Sequence, residues 1–272
     1  MVATDIESLP PDLEIAGAVA VLRLRRPGQH NRLDPEDLSV LDTLLARVEA
    51  ERAVRVLVLT ASGRSFCAGY DLGALASPSG SAPPAFDGLV DRLESLRVPV
   101  IAALNGGVYG GATDLALACD IRLGVPALKL VMPAARIGIH YYYGGLRRYA
   151  ERLGLGTAKR LLLAGEPMMA EELLRVGFLD RLVPEAALMD EALALAGLIA
   201  GNAPAAVQGM KRALNAIARG AGEPDRVGRA WRESLVSRDL AEGLQAQRER
   251  RAPVFADIDR SEDAGIEDAD LK

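Results

Sequence analysis

The chain has little of several things. It has two cysteines and two histidines in 272 residues, and aromatic residues make up only 4%. Cys67 and Cys119 have no metal-ligand spacing, and two histidines do not build a zinc site, so no metal centre is expected and the thiols are read as reduced. No uncharged apolar run reaches the roughly 18 residues of a spanning helix, and the acidic start "MVATDIESLPPDLE" has no basic, apolar signal segment. A soluble, cytoplasmic protein without membrane partners is therefore expected. Basic residues give no excess either: 32 Lys and Arg stand against 37 Asp and Glu, a net charge of -5. The arginines are interleaved with acids, which argues against a nucleic-acid surface.

What is present is half apolar and organised by period. "AVAVLRL" (18–24), "VRVLVLT" (54–60) and "VPVIAAL" (98–104) read as strands, the latter two so continuously apolar that both faces are buried. Between them, "DPEDLSVLDTLLARVEA" reads as a helix capped by Asp34 with Pro35 in its first turn. Residues 87–97 and about 110–118 read as further helices, with a strand near 119–124. Alternation of strand, loop and helix argues for crossover units and an α/β core. From residue 144 onward the pattern is helical apart from a short strand at 178–183. Residues 77–84 read as a Pro/Gly/Ser-rich surface stretch.

Two strands run into loops of small residues, "SFCAGYDL" and "NGGVYGGATDL". Small residues allow a ligand to approach the backbone, and N–H groups at a helix start are free to donate. Two such groups from different strands can converge on one oxygen and stabilise an oxyanion. Read alone, such glycines equally serve turns and close helix packing.

Taken together, "VLVLTASGRSFCAGYDL" and "VPVIAALNGGVYGGATDLALACDIRL" resemble the two signatures of the crotonase (enoyl-CoA hydratase/isomerase) superfamily. "RLRRPGQHNRLD", "LGTAKRLLLAGEPMMAEELLRVGFLDRLVP" and "APAAVQGMKRALN" fall in the family's order. The resemblance implies an α/β spiral of repeated ββα units at 13–200 and a C-terminal helical region at 201–256 that assembles trimers or hexamers. Residues 1–12 and the acidic 257–272 fall outside as tails, the latter expected to be disordered. It implies an acyl-CoA substrate, coenzyme A entering as part of the thioester and no tightly bound cofactor.

Carried over residue by residue, the resemblance assigns the oxyanion hole to the N–H groups of Ala68 and Gly111. Gly69, Tyr70, Asp71, Leu72 and Gly110 line the thioester. Arg26 and His30 face the nucleotide end, with Arg25, Lys211 and "RRAPVF" as further contacts there. The first catalytic carboxylate of the family corresponds to Asp114, one methylene shorter than the usual glutamate. The second corresponds to Ala134, which can neither donate nor accept a proton. The run "HYYYGG" then places Tyr141 and Tyr142 where relatives carry acting groups, with His140 and Tyr143 beside them in the pocket.

An enolate-stabilising acyl-CoA enzyme follows, catalysing hydration or dehydration, isomerisation or decarboxylation. A noncatalytic acyl-CoA binder and a hydrolase of CoA esters or cyclic diketones are the alternatives.

Overall fold

The computed structural model describes residues 8–73 and 86–256. The Pro/Gly/Ser-rich stretch at 77–84 and the acidic tail at 257–272 lie outside the described residues. A six-stranded sheet has the order β1 (Asp12–Ala16), β2 (Val19–Leu24), β3 (Val56–Ala61), β5 (Val100–Leu104), β7 (Ile121–Gly124), β10 (Arg181–Leu182). A second, four-stranded sheet has the order β4 (Ser65–Cys67), β6 (Gly107–Tyr109), β8 (Lys129–Val131), β9 (Met168–Met169). From β3 onward the chain alternates: β3, β5 and β7 of the first sheet are each followed by a three-residue strand of the second, β4, β6 and β8. Helices α2 (Phe86–Ser95) and α3 (Ala112–Ala118) close two of these ββα units.

The long strands lie where their apolar runs predict. Every residue of β3 and of β5 is buried, as parallel strands covered on both faces require. Helix α1 (Pro35–Ala50) starts at Asp34, whose side chain accepts from the Asp37 N–H while the Asp37 carboxylate accepts from the Asp34 N–H. The reciprocal cap is worth about 1 kcal/mol.

The short strands β4 and β6 fall inside segments that read as loops. Three residues give no period to detect. What specifies them is their pairing, parallel and side by side, with Ser65 opposite Gly107 and Cys67 opposite Val108. That pairing carries the two small-residue segments, 68–71 and 110–111, out of the sheet next to one another.

After β8 come α4 (Tyr143–Lys159), α5 (Ala170–Arg175) and α6 (Leu188–Ala200), then α7 (Pro204–Ala218), α8 (Pro224–Ser234) and α9 (Arg238–Glu249). Lys211 of α7 is buried: its Nζ donates to the Val98 carbonyl at 2.8 Å and pairs with Asp120 at 2.7 Å. It therefore ties the C-terminal helices to the segments that lead into β5 and β7, and its ammonium is already paired. Among the described residues no single helix is long and apolar enough to cross a membrane.

Gly106, at the crossing from β5 to β6, has no room for a side chain: a Cβ there would stand 2.1 Å from the Arg64 carbonyl oxygen. Gly106→Ala is expected to lower unfolding free energy by about 2–3 kcal/mol by overpacking. Gly28→Ala, where a Cβ meets nothing within 4 Å, should change it by less than about 0.5 kcal/mol. Urea titration of both variants checks the contrast.

Candidate active site

The loop after β4 is held by the segment 30–33. The Ala68 N–H donates to the His30 carbonyl at 2.9 Å, the Leu33 N–H to the Gly69 carbonyl, and the Asp71 N–H to the Leu33 carbonyl. Between these bonds the Tyr70 N–H points the other way and has no acceptor, because backbone groups alternate in direction along an extended segment. In the second loop the Gly110 N–H donates to the Val131 carbonyl at 2.9 Å, leaving the Gly111 N–H without an acceptor at the start of α3.

The two loops touch. A Cβ on Gly69, whose φ is +88°, would stand 2.7 Å from the Tyr109 carbonyl oxygen and 3.0 Å from the Gly111 nitrogen. Only glycine fits that conformation and that approach. The N–H groups left open beside this contact are therefore those of Tyr70 and Gly111. The Ala68 N–H assigned from sequence is already taken by His30.

Asp114, in the first turn of α3, is fully buried, and so is Arg148 of α4. The guanidinium grips the carboxylate with both oxygens engaged, Nε to Oδ1 and Nη2 to Oδ2, each at 2.8 Å. The Tyr142 hydroxyl donates to the same Oδ2. Arg148 is fixed in turn by α2, its Nη1 donating to Asp91 Oδ1 at 2.6 Å and to Glu94 Oε2 at 3.2 Å. Burial works against the guanidinium charge, but Asp114, then Asp91 and Glu94, more than compensate and raise its pKa. Burial likewise works to raise Glu94, yet Arg147, Arg219 and Arg148 hold it below the usual carboxylate range. Removing one member of such a buried pair costs about 3–5 kcal/mol.

The tyrosines separate. Tyr141 stacks on Tyr142 with ring centroids 4.6 Å apart, and its buried hydroxyl has no hydrogen-bond partner. Gly145 makes this possible, since a Cβ there would meet the Tyr141 ring at 2.3 Å. Tyr142 also lies edge-on to Phe86, itself 6.1 Å from the Tyr70 ring. Tyr142 lines a cavity of about 380 Å³ with Asp87, Asp91, Arg147 and Arg219 among its walls. That lining does not include Tyr70 or Gly111, so the cavity is a neighbour of the N–H pair rather than the same hollow. Tyr143 is 82% exposed and His140 is exposed, so neither joins Asp114. Ala134 is buried at the start of a 3-10 turn.

Where the resemblance puts the nucleotide end, Arg26 is not a free cation. Its Nε donates to both oxygens of the buried Asp37, at 3.0 and 2.9 Å, and it joins β2 to α1. Arg25 is likewise spent on Asp12 and the Pro10 carbonyl. His30 sits in the left-handed region with φ 52°, its Nδ1 2.9 Å from Ser65 Oγ and its Nε2 3.1 Å from the exposed Arg64. Arg64 has no acidic partner among the described residues, which makes it the available cation there. Asp71 pairs with Arg32 at 3.5 Å and caps the Gly73 N–H, while Leu72 is half exposed. Among the described residues no three His, Cys, Asp or Glu side chains are grouped to hold a metal ion.

Sequence reasoning missed Asn31, Arg64, Arg148's contact with Asp114, and Tyr70 as an N–H donor. Asn31 is buried in the left-handed region and holds the loop by accepting from the Arg26 N–H and donating to the Ser62 and Ser65 carbonyls. Its position after His30 is the only signal, since asparagine tolerates that backbone.

Comparison with known proteins now gives the family. The profile of the enoyl-CoA hydratase/isomerase family matches residues 14–258. The chain is 35% identical over 208 residues to the short-chain-enoyl-CoA hydratase of Clostridium acetobutylicum, covering 75% of this chain and 80% of that one. It is 34% identical to the (E)-benzylidenesuccinyl-CoA hydratase of Thauera aromatica, covering 91% and 99%. The crystal structure of an enoyl-CoA hydratase from Bacillus anthracis superposes with a TM-score of 0.81 at 30% identity, covering 91% and 99%. The fold and the family match thus define a crotonase-type acyl-CoA enzyme. The chain belongs to the enoyl-CoA hydratase/isomerase family.

Burial, then the charge of Asp114, pushes the Tyr141 and Tyr142 phenols above their ordinary range, and burial also pushes Tyr149 up. An unfolded tyrosine ionises near pH 10, so above that pH the unfolded chain loses these protons while the folded chain keeps them. Stability contributed by the neutral phenols is then full below about pH 10 and falls as pH rises. Denaturation between about pH 9 and 12 should show Tyr142→Phe with a shallower loss than the parent. An equal slope would contradict the assignment.

Proposed function

We infer that the chain is an acyl-CoA enzyme that holds a thioester enolate between the Tyr70 and Gly111 N–H groups and protonates its α-carbon from Tyr142. The observation that carries this is the pair of open N–H groups at the contact of the two loops. Each lacks an acceptor and lies next to the start of α3, whose amide dipoles favour negative charge. Two preorganised donors of this kind are worth several kcal/mol at an oxyanion. His30 and Arg64 suit the phosphates of coenzyme A.

In the proton step the Tyr142 hydroxyl turns from Asp114 Oδ2 to the α-carbon. The O–H bond breaks, the C–H bond forms with the enolate electron pair, and the enolate collapses to the thioester. The phenolate regains its proton from water in the cavity that Tyr142 lines. Asp114 holds the phenol in place between turnovers.

This arrangement has one proton donor and, at Ala134, no second carboxylate. It favours reactions whose enolate forms without a pair of acids, of which decarboxylation of a malonyl-type ester is the simplest. Hydration of an enoyl-CoA is the second reading, favoured by identities of 34–35% to proteins named as hydratases.

The test is turnover of enoyl-, dienoyl- and malonyl-type CoA esters in deuterated water. The product should carry deuterium at the α-carbon, and Tyr142→Phe should slow its formation by about 10²–10⁴-fold, the usual contribution of a general acid. Tight binding of every ester with no exchange or turnover would mean a noncatalytic binder. Release of free thiol would mean a hydrolase.

A further inference from the structure

We propose that Arg148 is the positioning residue of the site: it fixes Asp114 by both oxygens so that Oδ2 faces Tyr142, and thereby fixes the phenol that delivers the proton. This rests on the reading of Tyr142 as the donor. The observation is geometric. Asp114 and Arg148 are both fully buried, lie 34 residues apart in the sequence, and meet in a two-bond fork that a lysine cannot reproduce.

A carboxylate free to rotate about its χ2 would present either oxygen to Tyr142. Here Nε holds Oδ1 and Nη2 holds Oδ2, so a single orientation remains. The guanidinium is itself immobile, because its third nitrogen is tied to Asp91 Oδ1 and Glu94 Oε2 on α2. Glu94 is gripped in turn by Arg147 and by Arg219, which extends from α7. The orientation of one buried carboxylate is thus set by three helices. The same cation lies where it offsets the charge left on Tyr142 once its proton has gone.

Asp114 therefore acts without touching substrate. All but one of the lone-pair positions of its two oxygens are filled by Arg148 and Tyr142 donors, and no surface of the side chain is open. The family-position carboxylate is retained here as a holder of the phenol, and Arg148 is what makes it one.

The test has two independent readouts on the full-length protein, with circular dichroism confirming that each variant is folded. The first is the proton NMR resonance of the Tyr142 hydroxyl. Donated to a carboxylate, it should appear downfield of the amide region and be identified by its loss in Tyr142→Phe. Arg148→Lys should shift or remove it, whereas an unshifted resonance in a folded Arg148→Lys protein would overturn the proposal.

The second readout is turnover of whichever CoA ester the parent accepts. Arg148→Lys should lower kcat at least 20-fold with KM changed less than about 3-fold. Arg148→Lys combined with Tyr142→Phe should be no slower than Tyr142→Phe alone, because Arg148 acts through Tyr142. Additive losses, or a rise in KM equal to the fall in kcat, would contradict it. If the parent turns over no ester, the enolate reading fails while the NMR comparison still decides the role of Arg148.

Discussion

The buried ion pair between Asp114 and Arg148 is the constraint on which the rest of the site depends. Two charges inside a protein are tolerated only when each is met by good partners, and here the partners come from α2, α3 and α4, with Arg219 beyond the end of α7 gripping Glu94. Satisfying Arg148 requires Asp91 and Glu94 on one side and Asp114 on the other, so α2, α3 and α4 have one workable arrangement. That arrangement sets Tyr142 against Asp114 and leaves Gly145 as the residue that admits the Tyr141 ring. The short contacts of the site follow from where the charges must be.

The second constraint is backbone direction. Strands β4 and β6 pair in parallel, and the loops that leave them meet at Gly69 and Gly111. Within the first loop, hydrogen bonds to His30 and Leu33 consume the N–H groups of Ala68 and Asp71. The alternation of an extended chain then turns the Tyr70 N–H toward the other loop. A donor is defined by what its neighbours have already claimed. This is why Tyr70 replaces Ala68 in the account while Gly111 stays.

Much of the fold was legible in the residues. The nearly continuous apolar runs of β3 and β5 read as buried strands, and Asp34 with Pro35 marked the start of α1. The three-residue strands β4, β6 and β8 were not legible, because they have no period and are defined by distant partners such as Gly107 for Ser65 and Leu130 for Val108. Asp114 and the tyrosine run could be found from the family pattern. Their relationship could not, since nothing local connects Asp114 to Arg148. The same limit explains Arg26 and Lys211: a cation in the sequence reads as available, and only the fold reveals that Asp37 and Asp120 already hold these two.

The most direct measurement of the central claim is a crystal structure with a bound acyl-CoA that is not turned over. The account predicts the thioester oxygen within hydrogen-bonding distance of both the Tyr70 and Gly111 nitrogens, and the Tyr142 hydroxyl as the protein group nearest the α-carbon. A thioester oxygen bound elsewhere, or an α-carbon approached by a group other than Tyr142, would contradict it.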